Sequence, residues 1–560
     1  MDSGIKRRAL PWIGLTAILL MYAVSVFRFN PSDYFGATQD DSLYFSSAKA
    51  LANRQGYILP SVPGGPIATK YPMLYPWILS WVWRCNPSFP SNLRYAVAIN
   101  VLFGFMFLVS SFVFLRRQKG FGDSAAILVT FFIGLHPFVL YYSASVLSDI
   151  PFAALAFTAI LVADQAMEPN ATDAKTARCA FLTGLSILMR FFGVTVAAGI
   201  LATAVARRAW RQVAIFCGTL VPFGVAVIWR WVFAGPVTPL GSSTAVREPG
   251  FIDAWIYYSS YQGFWKLCVL DAHLLCATVR HSAIIILRSP SEYFLAPLLT
   301  RNSILGVSLM LLTALGTLAG MVRQSRNDRY KSIYWVFPFY VALVLVWNYP
   351  NTGRFFLLLL PLFAGALWVE ARHFLTVSYT TMKNSPDRSQ KILAGICGFG
   401  IVAFACGIGI NYAYGGRRVL VELSRERSSL LGEKREAYRW LSCCTSPDDV
   451  VIAYEDASLY LYSGRQAMRP VVFRTSGEYD PVQLQVSLAH MTDVAHAIGA
   501  RYWLIADDDF SMEWEPATSL GRAREVELAK DLPLAFQSHN GRIRIYRIGC
   551  DQGSKIQPCP

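Results

Sequence analysis

Long apolar segments recur through the first 414 residues and constrain the fold more than any other feature of this sequence. They lie near 9–27, 92–115, 123–141, 149–165, 177–189, 192–206, 212–234, 303–322, 333–348, 354–369 and 392–412. A helix of about 20 apolar residues crosses the hydrocarbon core of a bilayer, and several segments approach that length. The sequence therefore predicts an α-helical polytopic membrane protein with about eleven transmembrane helices.

The composition supports this interpretation and argues against a nucleic-acid partner. Of 560 residues, 54% are hydrophobic and 16% are charged, whereas soluble domains average about 25% charged residues. The formal net charge is +15, but many of the basic residues lie in short loops between apolar segments. Basic residues in such loops orient a membrane protein.

The short basic loops predict the orientation. If the N-terminus is cytoplasmic, the following basic loops also become cytoplasmic: 116–120, 207–211, 323–331 and 371–391. This solution requires two short helices in the apolar stretch 177–206, separated at Arg190. The first apolar segment is long enough to span and is interpreted as a retained span rather than a cleaved signal peptide. The C-terminus is then outside.

Two large outer loops follow from this topology. The loop 28–91 carries a helix from Asp41 to about Asn53. It then carries a short aromatic segment at 71–83, which is typical of a helix at the membrane interface. The loop 235–302 is rich in aromatic residues and is also expected to lie along the membrane surface.

The composition changes near Gly415, where helix and strand patterns begin to alternate. Strands are predicted at 449–455, 501–507 and 541–548, and helices at 427–441 and 481–500. We therefore predict a transmembrane domain over 1–414 and a small extracytoplasmic α/β domain over 415–560. Whether Cys443 or Cys444 pairs with Cys550 or Cys559 is left open by their spacing.

Conspicuous polar residues gather, in this topology, near the outer ends of helices. They are Asp40, Asp41, Lys70, Asp149, Arg190 and Arg354. Arginine and lysine bind phosphate groups, and a carboxylate accepts a proton from a reacting hydroxyl. This combination indicates transfer of a group from a phosphate-bearing carrier that resides in the bilayer.

Simpler explanations and other functions remain open at this point. The acidic pair or Asp149 can cap the helix that follows, and Lys70 can reach lipid headgroups. The acids at 507–509 have the form of a nucleotide-sugar metal site, although a solvated loop after a strand explains them more simply. The main alternative function is a polytopic transporter or flippase of lipids or lipid-linked sugars, although transporters tend to place charges near the bilayer midplane.

Several ordered segments resemble the GT-C-fold glycosyltransferases that use polyprenyl-phosphate sugars. The nearest resemblance is to bacterial protein O-mannosyltransferases and the lipid A aminoarabinose transferase, which are glycosyltransferase family 39-like. The segments are DDSLYFSSAKALANRQGY at 40–57, TKYPMLYPWILSWVW at 69–83, SDIPFAALAF at 148–157, LTGLSILMRFFGV at 182–194 and NTGRFFLLLLPLF at 351–363. Met73 stands where the family has a second proline. Residues 446–467 are similar to the extracytoplasmic domain of many members.

The resemblance implies an inverting glycosyltransferase at the outer face of the cell inner (cytoplasmic) membrane. Asp40 matches the general base, and Asp149 matches an acid that assists the base or a metal. If a divalent ion such as Mg or Mn is used, Asp40 and Asp149 are its implied ligands. The implied substrate-binding residues are Asp41, Tyr44, Lys70, Tyr71, Arg190 and Arg354. The implied donor is a polyprenyl-phosphate sugar, and the acceptor is a lipid, glycan or protein; the sugar, the acceptor and any metal requirement stay open.

Overall fold

The computed structural model describes residues 2–36, 38–233, 249–259, 272–295, 304–327, 331–347, 353–417, 423–473, 481–511, 513 and 515–548. The helices up to residue 259 are α1 Asp2–Phe27, α2 Pro31–Tyr34, α3 Asp40–Ala52, α4 Leu74–Cys85, α5 Leu93–Arg116, α6 Asp123–Gly134, α7 Pro137–Ala144, α8 Asp149–Ala166, α9 Asp173–Met189, α10 Gly193–Ala206, α11 Trp210–Phe233 and α12 Pro249–Ser259. They are followed by α13 Ala272–Leu295, α14 Ile304–Asn327, α15 Ser332–Leu345, a 3-10 helix Gly353–Leu359, α16 Leu360–Asn384 and α17 Arg388–Arg417.

Most of the apolar segments form helices of the length that a bilayer requires. Within the described ranges, seven are long and apolar enough to span: Leu10–Phe27, Leu93–Arg116, Asp149–Ala166, Trp210–Trp229, Gly306–Arg326, Gly353–Asn384 and Arg388–Tyr414. The pair α6 and α7 adds an eighth if the two are one span bent by 53°. Pro137 begins α7, and the His136 side chain caps it, which explains the bend. The chain is a multi-pass membrane protein, and α10 and α15 are shorter apolar helices.

The chain breaks at Arg190, where the sequence predicts two helices rather than one. Helix α9 ends at Met189, and Arg190 adopts an extended conformation before α10 begins. The turn is tight at Gly193, because a Cβ there would lie 2.5 Å from the backbone nitrogen of Ile187. The break leaves the Arg190 side chain at the ends of two helices.

One helix was not anticipated in the loop 235–302. Helix α13 packs along α14 and also contacts α15 and α17, with Ile285 and Phe294 buried in the main hydrophobic cluster of the helices. Two arginines within it, Arg280 and Arg288, interrupt the apolar pattern and mask it in the sequence. The rest of that loop, apart from α12, lies outside the described residues.

The C-terminal unit, residues 423–548, is a small α/β layer. Its elements are α18 Leu423–Cys444, β1 Val451–Ile452, α19 Asp456–Ser463, β2 Ala467–Met468, α20 Pro481–Ala489, α21 Asp493–Ala497, β3 Tyr502–Ala506, α22 Ala517–Ala529, β4 Leu534–Gln537 and β5 Ile543–Arg547. The strand order is β2-β1-β3-β5-β4. Strand β1 runs parallel to β2 and β3, whereas β5 runs antiparallel to β3 and β4.

The sequence pattern predicted three of these strands and missed two. Strand β2 has only two residues, which is too short for an alternating pattern. Strand β4 contains an irregularity between Leu534 and Phe536 that disrupts the period of two. The predicted helix 481–500 is also divided, into α20 and α21.

The interpretation of the acidic run 507–509 as a solvated loop is wrong for Asp508 and Asp509 and right for Asp507. Asp508 pairs with the buried Lys434 at 2.8 Å. The Asp509 carboxylate is 2% exposed and accepts the backbone amide of Ala506 at 2.7 Å. These contacts close the turn after β3, and only Asp507 is exposed. Asp508 and Asp509 therefore have structural partners within the unit.

Candidate active site

The first residue of α3 lies at the centre of the site. One oxygen of the Asp40 carboxylate is 2.7 Å from Arg354 Nη2, and the other accepts the Tyr71 hydroxyl at 2.6 Å. Burial alone would raise the pKa of Asp40, but the charges of Arg354 and Lys70 and the Tyr71 hydrogen bond outweigh it and lower the pKa. Asp40 is therefore ionised at neutral pH, and Arg354 and Tyr71 each hold one of its carboxylate oxygens.

The neighbouring acid has different partners. Successive side chains on a helix point about 100° apart. Both oxygens of Asp41 accept backbone amides, from Gly36 at 2.9 Å and from Ser42 at 2.7 Å. Burial raises the pKa of Asp41 to about 7. The contacts of Asp41 thus close the turn before α3, and they are not shared with Asp40.

A second ion pair lies beside the first. Asp149, the first residue of α8, pairs with Arg190 at the break between α9 and α10. The guanidinium groups of Arg190 and Arg354 both lie 5.6 Å from the centre of the Phe355 ring. Phe355 therefore connects the two ion pairs through cation–π contacts.

Tyr44 links α3 to the start of α8. Its hydroxyl lies 3.2 Å from the Ser148 hydroxyl, directly before Asp149. Its ring packs edge-on against Tyr71, with 4.8 Å between the ring centroids. The structure thus brings together Asp40, Tyr44, Tyr71, Asp149, Arg190 and Arg354. Asp40 and Tyr44 come from the first two turns of α3, Asp149 and Arg354 from the starts of α8 and the 3-10 helix, and Tyr71 and Arg190 from between helices.

Lys70 lies next to this cluster and is 7% exposed. Its ammonium lies 5.2 Å from the centre of the Tyr71 ring. Burial lowers its pKa to about 7, an effect that Asp40 opposes and that Arg469 and Arg354 reinforce. A lysine in this state gains a full charge when an anion binds beside it.

A mostly apolar cavity of about 170 Å³ adjoins Lys70. It lies between α4, the end of α9 and α11, and Trp77, Ile187, Phe191 and Val227 line it. The segment Thr69–Tyr71 supplies the polar residues of the lining. A ligand with an anionic head and an apolar tail matches this distribution of groups.

The acids of the site that the structure describes do not fit a divalent cation. Mg²⁺ and Ca²⁺ require several oxygen ligands. Among the described residues, no group of three His, Cys, Asp or Glu side chains is placed to hold a metal. The two acids implied as ligands, Asp40 and Asp149, are each engaged by an arginine. We derive no step through a metal ion.

Several residues near the site were not anticipated from the sequence. Phe355 follows Arg354 directly in the sequence. An aromatic residue next to a candidate arginine could have predicted this cation–π contact. Gln39, Tyr258 and Asp456 form a buried hydrogen-bonded group next to Asp40. Asp456 is 417 positions from Gln39, and no local pattern predicts such a contact.

No protein-family sequence model and no curated protein sequence matches the chain. Its fold does match solved structures. ArnT from Cupriavidus metallidurans, bound to undecaprenyl phosphate, is similar with a TM-score of 0.51 and 13% identity, over 99% of this chain and 100% of that chain. The Archaeoglobus fulgidus oligosaccharyltransferase in complex with Zn and sulfate has a TM-score of 0.51 and 14% identity, over 94% of this chain and 72% of that chain. The predicted fold is confirmed: the chain is a GT-C-fold membrane protein with a small C-terminal α/β unit.

Proposed function

We propose that this protein is a membrane glycosyltransferase that moves a sugar from a polyprenyl-phosphate donor to an acceptor hydroxyl or similar nucleophile. The observation that carries the proposal is the ionised Asp40, held between Arg354 and Tyr71, with Lys70 close to it in the lining of an apolar cavity. This arrangement combines a proton acceptor, two phosphate-binding cations and room for the start of a lipid chain.

The reaction follows from these positions. Asp40 accepts the proton of the acceptor hydroxyl, and the oxygen attacks the anomeric carbon of the donor sugar. The bond between that carbon and the phosphate oxygen breaks, and its electron pair leaves with the phosphate. Arg354 and Lys70 stabilise the charge on the departing phosphate. Attack opposite the leaving group inverts the anomeric carbon.

The second ion pair, between Asp149 and Arg190, adds to the proposed phosphate-binding part of the site. Arg190, held by Asp149, adds positive charge beside Arg354 on the Phe355 ring. Breaking a buried ion pair leaves one charge uncompensated, which is strongly unfavourable. Asp149 therefore keeps Arg190 in place, and the guanidinium groups of Arg190 and Arg354 lie beside the same ring, where both can donate hydrogen bonds to the donor phosphate.

The proposal extends to the location of the protein. The positive-inside rule supports a cytoplasmic location of the basic loops; we therefore also propose that the active site and residues 415–560 lie outside the inner membrane, and that residues 1–414 form the catalytic domain. A reporter that is active only outside the cytoplasm, fused after residue 548, is expected to be active. Activity of a reporter that works only in the cytoplasm would contradict this orientation.

The function is tested by transfer from defined donors. Purified protein is supplied with undecaprenyl-phosphate mannose, glucose and 4-amino-4-deoxyarabinose, with cell-envelope membranes as the source of acceptor. We expect sugar transfer and release of undecaprenyl phosphate from at least one donor. Movement of an intact lipid-linked sugar across vesicles without transfer would favour the transporter instead.

Lys70 predicts a pH dependence of lipid-phosphate binding. Its pKa of about 7 in the empty site means that its charge is lost as the pH rises above 7. We expect the Kd of undecaprenyl phosphate to increase between pH 7 and 9, above the second ionisation of the phosphate at about pH 6. Lys70→Met is expected to weaken binding about 10- to 100-fold at pH 6.5, because a charge-assisted hydrogen bond contributes about 1.5–3 kcal/mol, and to flatten this pH dependence.

Lys49 provides the matched control for this measurement. It lies on α3, like Asp40, but its ammonium is near the rings of Trp83 and Tyr460. Lys49→Met is expected to keep the affinity and the pH profile of the wild type. An unchanged profile in Lys70→Met would exclude Lys70 as the phosphate-binding cation.

A further inference from the structure

The residue before Asp40 has an unusual backbone conformation. Gln39 has φ 58° and ψ −38°, a region that residues other than glycine rarely adopt. Such conformations cost about 1–3 kcal/mol and persist only where the surroundings hold them. The backbone carbonyl of Gln39 also accepts the Leu43 amide at 3.0 Å in the first turn of α3. The conformation of Gln39 therefore determines where α3 begins.

The C-terminal unit holds this residue through its side chain. Gln39 Nε2 donates to Asp456 Oδ1 at 2.9 Å. Asp456 is the first residue of α19 and has no exposed surface. Its other oxygen accepts the Tyr258 hydroxyl at 2.6 Å, and that hydroxyl oxygen accepts the backbone amide of Arg469 at 3.3 Å. One buried carboxylate thus joins α12, α19 and the residue preceding Asp40.

A second contact holds the same turn from the other side. Gly36 has φ +89°, and a Cβ at this position would overlap the hydroxyl of Ser458 in α19. Its backbone amide donates to Asp41 at 2.9 Å. The chain before α3 is therefore held between the first turn of α19 and the side chain of Asp41.

Further packing joins the first outer loop to the C-terminal unit. The amide of Ala467 in β2 donates to the carbonyl of Ser61 at 2.8 Å. Tyr57 and Val62 share a hydrophobic cluster with Ile452 and Trp503 of the sheet. The contact at Asp456 is thus part of an extensive interface, which restricts the motion of the whole unit relative to the site.

We propose that Asp456 is a positioning residue of the active site, and that the C-terminal unit is part of the catalytic machinery. Through Gln39 it holds the first turn of α3, so that the Asp40 carboxylate meets Tyr71 and Arg354 in the required orientation. This inference rests on the proposed role of Asp40 as the base. Small displacements of a reacting group reduce rates strongly, by about 10²-fold for 1 Å.

The test is Asp456→Asn in the full-length protein. Asparagine keeps the size of the side chain, but its amide nitrogen then faces either Gln39 or Tyr258, which are both donors. We expect kcat to fall about 10- to 100-fold, measured as undecaprenyl phosphate released from the three donors. The KM for the donor and the affinity for undecaprenyl phosphate are expected to stay unchanged. Asp448→Asn, at an exposed acid in the same unit, is the matched control and is expected to match the wild type.

A swapped pair separates positioning from general stability. In Gln39→Glu the side chain faces the Asp456 carboxylate with another carboxylate, so this variant alone is also expected to lose kcat. Combined with Asp456→Asn, the hydrogen bond returns with donor and acceptor exchanged. We expect the double variant to be more active than the product of the two single effects, as coupled residues require.

Amide hydrogen exchange tests whether Asp456 holds the first turn of α3, and it does so without measuring catalysis. We expect faster exchange of the backbone amides of residues 38–43 in Asp456→Asn than in Asp448→Asn or the wild type. Unchanged kcat and exchange would overturn the inference, and so would a uniform loss of stability with no rescue by the swapped pair. If Asp40→Asn keeps full activity, the proposed base is wrong, whereas the exchange result still reports whether Asp456 holds the turn.

Discussion

Asp40→Asn is expected to lower kcat by about 10²- to 10⁴-fold, the usual contribution of a general base. The asparagine amide is not basic, so the acceptor hydroxyl keeps its proton as it approaches the anomeric carbon. The change is nearly isosteric, and Tyr71 still finds an oxygen to donate to. The measurement is the rate of undecaprenyl phosphate release from the three undecaprenyl-phosphate sugars at saturating donor.

Asp41→Asn is the informative comparison because it changes the adjacent acid. Asp41 accepts the backbone amides of Gly36 and Ser42, and its partners differ from those of Asp40. We expect a far smaller loss of kcat in Asp41→Asn and a lower melting temperature from the altered turn. Equal losses in the two variants would contradict the separate roles, and wild-type turnover in Asp40→Asn would exclude it as the base.

Arg354→Gln is expected to reduce kcat by about 10²- to 10³-fold and to shift the pH profile. Part of the loss comes from the donor phosphate, because removing one preformed stabilising group commonly costs this much. The shift arises at Asp40, where burial raises the pKa and Arg354 is the main group that lowers it. Without Arg354 the pKa of Asp40 rises, so the base is protonated up to a higher pH. The acidic limb of kcat against pH therefore moves upward.

The profile is measured between pH 4 and 9 with two control variants. Arg354→Lys keeps a positive charge, so we expect its acidic limb to lie close to that of the wild type even if kcat falls. Arg84→Gln removes an exposed arginine of α4 whose guanidinium lies over the Trp81 ring. This variant is expected to keep both the kcat and the acidic limb of the wild type. An acidic limb that stays in place in Arg354→Gln would show that Arg354 does not control the charge of Asp40.

The sequence by itself determined the class of fold and the neighbourhood of the site. Apolar segments of bilayer length predict spans because each must satisfy its backbone hydrogen bonds internally, whatever its neighbours are. The same local physics predicted the break at Arg190 and brought the helix-end residues Asp40, Asp149 and Arg354 to one face. The sequence pattern did not predict α13, because two arginines interrupt its apolar run. It also missed β2, because a strand of two residues is too short to show an alternating pattern.

Only the tertiary structure decided which atoms meet. The sequence resemblance already assigned different roles to Asp40 and Asp41, but the contacts of each carboxylate depend on helix rotation and on the groups that surround it. The pairing of Asp40 with Arg354 joins residues 314 positions apart, and that of Gln39 with Asp456 joins residues 417 apart. Such contacts leave no periodic or local pattern, because they arise when separately folded segments pack together. The acidic pair could be located from the sequence, but the different partners of its two carboxylates were determined by packing.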